Sequence, residues 1–171
     1  AINSTDADYT VAVGYNALST LTNGTGNIAI GGQTLKGITT GDSNIAIGYL
    51  AMDDFDAGVN SGNSSGNIAI GASAMGGTVT NAACNDNIAI GANTMAAALD
   101  GALYNIAIGV TSLNDLTTGD KNVSIGNNSL QKLTTGEGNV AIGYGAGGDG
   151  GSAALGGDGN ILIGTDAGNK L

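Results

Sequence analysis

The pentapeptide Asn-Ile-Ala-Ile-Gly starts at Asn27, Asn44, Asn67, Asn87 and Asn105, and recurs as Asn122-Val-Ser-Ile-Gly126, Asn139-Val-Ala-Ile-Gly143 and Asn160-Ile-Leu-Ile-Gly164. An earlier copy, Thr10-Val-Ala-Val-Gly14, brings the series to nine. The closing glycines stand 17, 17, 23, 20, 18, 17, 17 and 21 residues apart, a basic period of 17 with insertions. Such regular self-similarity means one small unit stacked on copies of itself. The chain, 1–171, reads as a single repeat domain with motifs at 10–14, 27–31, 44–48, 67–71, 87–91, 105–109, 122–126, 139–143 and 160–164. Repeats begin within ten residues of Ala1 and stop within eight of Leu171, leaving little sequence for polar caps. Both ends are therefore expected to be edges of a longer solenoid or fibre.

Each motif is a short β-branched run between Asn and Gly, which is a strand signal. A 17-residue unit is too short for a βα repeat of some 30 residues. It suits one coil of an all-β, parallel β-solenoid or β-roll of about nine coils, roughly 40 Å long at about 4.8 Å per coil. Leu or Met stands four residues after the glycine (Leu18, Leu35, Met52, Met75, Met95, Leu113, Leu130). Next comes, in several coils, Ile38-Thr-Thr-Gly41, Leu116-Thr-Thr-Gly119 or Leu133-Thr-Thr-Gly136. Stacking places each Asn on the next, so that side-chain amides pair along a corner.

Alternate strand residues face opposite ways. The expected core is therefore the aliphatic column Ile28, Ile30, Ile45, Ile47, Ile68, Ile70, Ile88, Ile90, Ile106, Ile108, Ile125, Ile142, Ile161 and Ile163. The other strand face carries Ala12, Ala29, Ala46, Ala69, Ala89, Ala107, Ser124, Ala141 and Leu162. A water-facing column would vary more, so this small-residue stripe is expected to be a subunit interface about a symmetry axis. The alternative is that Ala lines a tight contact inside the coil. On the first reading, Ile90→Asp unravels the coil while Ala89→Arg separates subunits.

Composition agrees with a thin repetitive core. Gly supplies 32 residues, aromatics only 4%, and Pro, Trp, His and Arg are absent. A hydrophobic content of 42% contradicts the signature of a disordered Gly/Asn-rich chain. Four Lys against 13 Asp and one Glu leave a net charge of −10, which repels phosphate and excludes nucleic acid as a partner. No apolar run reaches the roughly 18 residues of a membrane-spanning helix, so membrane insertion is not expected.

The phrase Asn-x-Ala-Ile-Gly resembles the repeat of trimeric autotransporter adhesin heads. The longer form, as in Gly14-Tyr-Asn-Ala-Leu18 or Gly48-Tyr-Leu-Ala-Met52 with Thr-Thr-Gly spacers, is similar to repeat segments of bacteriophage tail fibres and related virion appendages. Both resemblances imply a homotrimeric rod, and they cover nearly the whole chain. The 17-residue period departs from the shorter adhesin unit.

Candidate chemistry is sparse. Gly145-Ala-Gly147-Gly-Asp-Gly150 matches a dinucleotide fingerprint, but no helix pattern follows to hold a phosphate, so the segment reads as a corner loop. Asp53, Asp54 and Asp56 are weak calcium candidates, since three carboxylates cluster there without the spacing of a calcium loop. Asp42, Asp120 and Glu137, each after Thr-Thr-Gly, read as solubilising corner charges. Cys84 has no His to serve as its base and reads as a small buried hydrophobe. The sequons at Asn3, Asn23, Asn63, Asn122 and Asn127 are near the number chance gives. No catalytic residue, cofactor or metal is expected.

The expected function is structural: a non-enzymatic spacer segment of a phage virion fibre, partnered by sister subunits and other virion proteins. Residues 53–66, 76–86 and 144–159 are candidate loops for touching a host surface receptor. The alternative is the head of a bacterial surface adhesin, located at the cell surface. An ice-binding solenoid is a distant third, since the Thr39-Thr40, Thr117-Thr118 and Thr134-Thr135 pairs do not continue through the middle coils.

Overall fold

The computed structural model describes residues 8–55, 63–148 and 157–169. Among these residues nine three-residue strands, β1 (Val11–Val13), β2 (Ile28–Ile30), β3 (Ile45–Ile47), β4 (Ile68–Ile70), β5 (Ile88–Ile90), β6 (Ile106–Ile108), β7 (Val123–Ile125), β8 (Val140–Ile142) and β9 (Ile161–Ile163), form one parallel sheet in sequence order. Every strand pairs in register with the next, from β2 to β6 Ile on Ile and Ala on Ala, as in Ile28↔Ile45 and Ala29↔Ala46. This is the β-solenoid that the period predicts, and among the described residues it contains no helix.

The closing glycine makes the short period feasible. At Gly71 φ is +137°, and an added Cβ would lie 2.5 Å from the carbonyl oxygen of Gly91 in the next coil. Both facts exclude a side chain, the first by conformation and the second by space. Two residues on and four residues on, the backbone again turns left-handed, as at Gln33 (φ 58°) and Leu35 (φ 49°). A left-handed leucine costs on the order of 1–3 kcal/mol. Leu35 offsets this by donating its N–H to the Ala51 carbonyl at 3.0 Å and burying its side chain completely.

The corner before each strand is stitched by asparagine. Asn44 donates both its backbone N–H (3.0 Å) and its side-chain Nδ2 (3.2 Å) to Oδ1 of Asn27, and Nδ2 also reaches the Ser64 carbonyl at 2.9 Å. The same pattern continues through Asn67, Asn87, Asn105, Asn122 and Asn139 to Asn160. From Asn27 to Asn139 each amide thus answers the polar needs of a corner that water does not reach, while Asn160 in the last coil is half-buried.

The interior differs from the expected one. Ala29, Ala46, Ala69, Ala89, Ala107, Ser124 and Ala141 are fully buried inside the coil, whereas Ala12 in the first strand is exposed. None of the expected core isoleucines is buried. Ile30, Ile47, Ile70, Ile108, Ile125 and Ile142 are 36–39% exposed, Ile28, Ile45, Ile68, Ile88, Ile90 and Ile106 are half-buried, and Ile161 and Ile163 are more exposed still. The small stripe is therefore an intracoil contact, which the alternative reading anticipated, and not an outward subunit interface.

The reason is the width of the coil. Large side chains enter from the opposite wall: Leu18, Leu35, Met52, Met75, Met95, Leu113 and Leu130, followed by Leu21, Ile38, Phe55, Val79, Leu99, Leu116 and Leu133. Facing the strand stands a second column of small residues, Thr34, Ala51, Ala74, Thr94, Ser112, Ser129 and Ala146, all buried. With the lumen filled from one side, the strand can contribute little more than a methyl group at close-packed density. The larger strand residues must then point out.

Candidate functional site

Outward-pointing aliphatics give the sheet its most distinctive surface. Two parallel columns, one from the first and one from the third residue of each strand, run the length of the stack, and the third-residue column is the more exposed. Isolated exposed isoleucines are ordinary, whereas here they run as a continuous ladder along one face. Beside it, immediately after the closing glycine, stand the exposed rings of Tyr15, Tyr49 and Tyr144 and the side chain of Val110. These tyrosines escaped the sequence reading as functional residues. Their fixed place in Gly-Tyr-x-Ala was the available signal.

The corner acids have a role beyond charge. Asp42 Oδ1 accepts the backbone N–H of Thr25 at 2.7 Å, Asp120 Oδ1 accepts that of Leu103 at 2.8 Å, and Asp158 Oδ1 accepts that of Glu137 at 2.9 Å. Each carboxylate thereby ties its own coil to the preceding one. Asp42 and Asp120 are structural acceptors as well as solubilising charges, whereas Glu137 contributes its backbone to the same column. Thr22 and Thr117 likewise donate their hydroxyls to the carbonyls of Thr39 and Thr134, each at 2.9 Å.

Of the acidic candidates, Asp53 and Asp54 adjoin on a turn, and Asp56 lies outside the described residues. Burial pushes the Asp53 carboxyl above its ordinary value of 3.8, repulsion from Asp54 adds to this, and Lys36 opposes it. Among the described residues no three His, Cys, Asp or Glu side chains gather closely enough to hold a metal ion.

Cys84 is buried and unpaired. It occupies a column of small residues with Gly41, Ser64, Ala102 and Gly119, whose carbonyls accept from the asparagine ladder: the Cys84 oxygen takes Asn67 Nδ2 at 2.8 Å. Burial pushes its thiol up to about 11, the opposite of what a nucleophile requires.

Gly145 and Gly147 take the two left-handed corner positions held elsewhere by residues such as Gln33 and Leu35. The fingerprint segment is thus a solenoid corner as far as Gly148. Asp149 and Gly150 lie outside the described residues, as do parts of loops 53–66 and 144–159. Among the sequons, Asn122 is buried within the ladder, Asn23 and Asn63 are exposed, and Asn3 lies outside the described residues.

No family model, curated protein or solved structure matches this chain, so the arrangement of its own residues carries the functional argument.

Proposed function

We propose that this chain is a non-enzymatic, rigid segment of a homotrimeric fibre, belonging to a phage virion appendage that holds other domains at a distance and contacts a host surface. The observation that carries the reading is the aliphatic ladder. Ile30, Ile47, Ile70, Ile108, Ile125 and Ile142 stand in one exposed column, stacked in register by the parallel sheet. A stripe parallel to the stacking direction suits a cyclic axis along the rod, because every coil then meets its symmetry mates with the same residues. Covering it removes apolar surface from water at about 25 cal/mol per Å².

Stiffness supports the mechanical role. The coils are joined by strand hydrogen bonds, the asparagine ladder and the corner carboxylates, so bending the rod would stretch many short bonds together. The phage assignment, rather than a cell-surface adhesin, rests on the likeness of Gly-Tyr-x-Ala-Leu/Met with Thr-Thr-Gly spacers to tail-fibre repeats.

The test is the mass in solution. Sedimentation equilibrium is expected to give three times the chain mass for wild type. Ile108→Asp combined with Ile125→Asp is expected to give the monomer with its β-rich circular dichroism retained. A monomeric wild type would overturn the reading.

A further inference from the structure

The corner just before the strands opens into a groove where the two longest spacings of the first five coils fall. It is lined by Asp42, Ser43, Asn63, Ser65, Gly66, Asn85, Asp86, Leu103 and Tyr104, with a volume of ≈ 420 Å³. Its walls belong to four successive coils, a length of about 14 Å at about 4.8 Å per coil.

The floor of this groove is internally braced. Ser65 Oγ accepts the N–H of Asp42 at 3.0 Å and donates to the Asn63 carbonyl at 3.0 Å, while Asn85 Oδ1 accepts the N–H of Ser65 at 2.8 Å. Asn85 also pairs with Leu103 in an isolated parallel bridge, and Tyr104 donates its N–H to the Asn85 carbonyl at 3.2 Å. Gly66 keeps the middle open, since a Cβ there would lie 2.5 Å from Oδ1 of Asp86.

Several polar atoms in the groove are left unused. Asp42 commits Oδ1 to Thr25, whereas its Oδ2, the Asp86 carboxylate and Asn85 Nδ2 bond to no other described residue. The groove therefore offers carboxylate acceptors and an amide donor beside the exposed side chain of Tyr104, with Leu103 next to it.

From this juxtaposition we infer that the groove binds a neutral oligosaccharide, two or three pyranose units long. Neighbouring hydroxyls of a sugar each donate and accept, which matches carboxylates alternating with amides and hydroxyls. The C–H face of a pyranose ring matches an exposed tyrosine ring, which supplies flat apolar area at small entropic cost. A polyanionic glycan is excluded by Asp42 and Asp86 and by the net charge of −10. This deepens the fibre reading by giving its surface contact a ligand class, and it rests on that reading only for biological purpose.

The test uses the intact chain, isotope-labelled, titrated by NMR with neutral trisaccharides of glucose, galactose, mannose, rhamnose and N-acetylglucosamine, and with one sulfated trisaccharide. At least one neutral sugar is expected to shift the amides of Gly66, Asp86 and Tyr104 saturably. Tyr104→Asn, which retains a residue tolerant of the left-handed backbone (φ 60°), and Asp86→Asn are each expected to weaken binding roughly tenfold without lowering the melting temperature. Tyr9→Asn, at an exposed left-handed position (φ 57°) outside the groove, is expected to leave binding unchanged. Saturation by none of the neutral sugars, binding of the sulfated sugar alone, or equal weakening by Tyr104→Asn and Tyr9→Asn would each overturn the inference. Sedimentation of the same samples separates the two readings: a monomer that binds sugar overturns the trimer and leaves the groove, and a trimer that binds none does the reverse.

Discussion

Ser124, in the centre of β7, shares a 2.7 Å hydrogen bond with the hydroxyl of Ser112 across the interior of the coil. Ser124 Oγ in turn donates to the Ser129 carbonyl at 2.8 Å. A polar residue enters the alanine column here only with partners supplied by the facing column, as a dry interior demands. That pair identifies the alanine stripe as a wall of the lumen.

Neighbouring residues Ala89 and Ile90 should accordingly fail in ways opposite to those the strand pattern first suggests. Ala89→Arg places a long charged side chain in a filled lumen, and a loss of several kcal/mol with broken coils is expected. Ile90→Asp projects from the half-buried outer face, so circular dichroism should stay β-rich while light scattering reports loss of the assembly. The opposite pairing of outcomes would restore the isoleucines to the core.

Removing one rung of the asparagine ladder should be costly although no charge is involved. Asn87→Ala deprives the backbone N–H of Asn105 of its acceptor (3.0 Å) and the Ala102 carbonyl of its donor (2.8 Å), both in buried surroundings. At about 1–3 kcal/mol for each stranded group, a loss of roughly 2–6 kcal/mol is expected. Urea denaturation measures it, and a change within 0.5 kcal/mol or so, the ordinary scale of surface substitutions, would contradict the ladder.

Asp53 destabilises the fold when ionised, because its carboxyl is raised above 3.8 by burial and by Asp54. A group raised in this way binds its proton more tightly folded than unfolded, so stability falls as pH rises from 3.8 through the raised value, and the penalty is absent at lower pH. Asp53→Asn is therefore expected to melt higher than wild type at neutral pH, with the advantage vanishing under acid conditions. Parallel thermal melts across that range would show it, and a constant difference would refute the electrostatic cause.

The Cys84 thiol should be inert in the folded protein. With its thiol pushed up to about 11 and its side chain buried, labelling by a disulfide reagent at mildly alkaline pH should await unfolding. Stoichiometric labelling within seconds in native buffer would show that the column around Cys84 opens readily.

Much of this architecture is written in the repeat itself. Nine Gly-terminated motifs dictate nine parallel strands in register, because each closing glycine turns the backbone to positive φ and, from Gly14 to Gly143, leaves a bare approach to the next coil. Stacked identical corners likewise bring each Asn onto the next. The side of the strand that faces inward was not legible, because two-residue alternation separates two faces without saying which is inside. That was decided by the far wall, where Leu35, Met75 and Leu113 fill the lumen and leave room opposite them for little more than the Cβ of Ala29, Ala69 and Ala107. The corner groove was equally hidden, since Asp42, Asn85 and Tyr104 are up to 62 positions apart in sequence and become neighbours only when coils of unequal length stack.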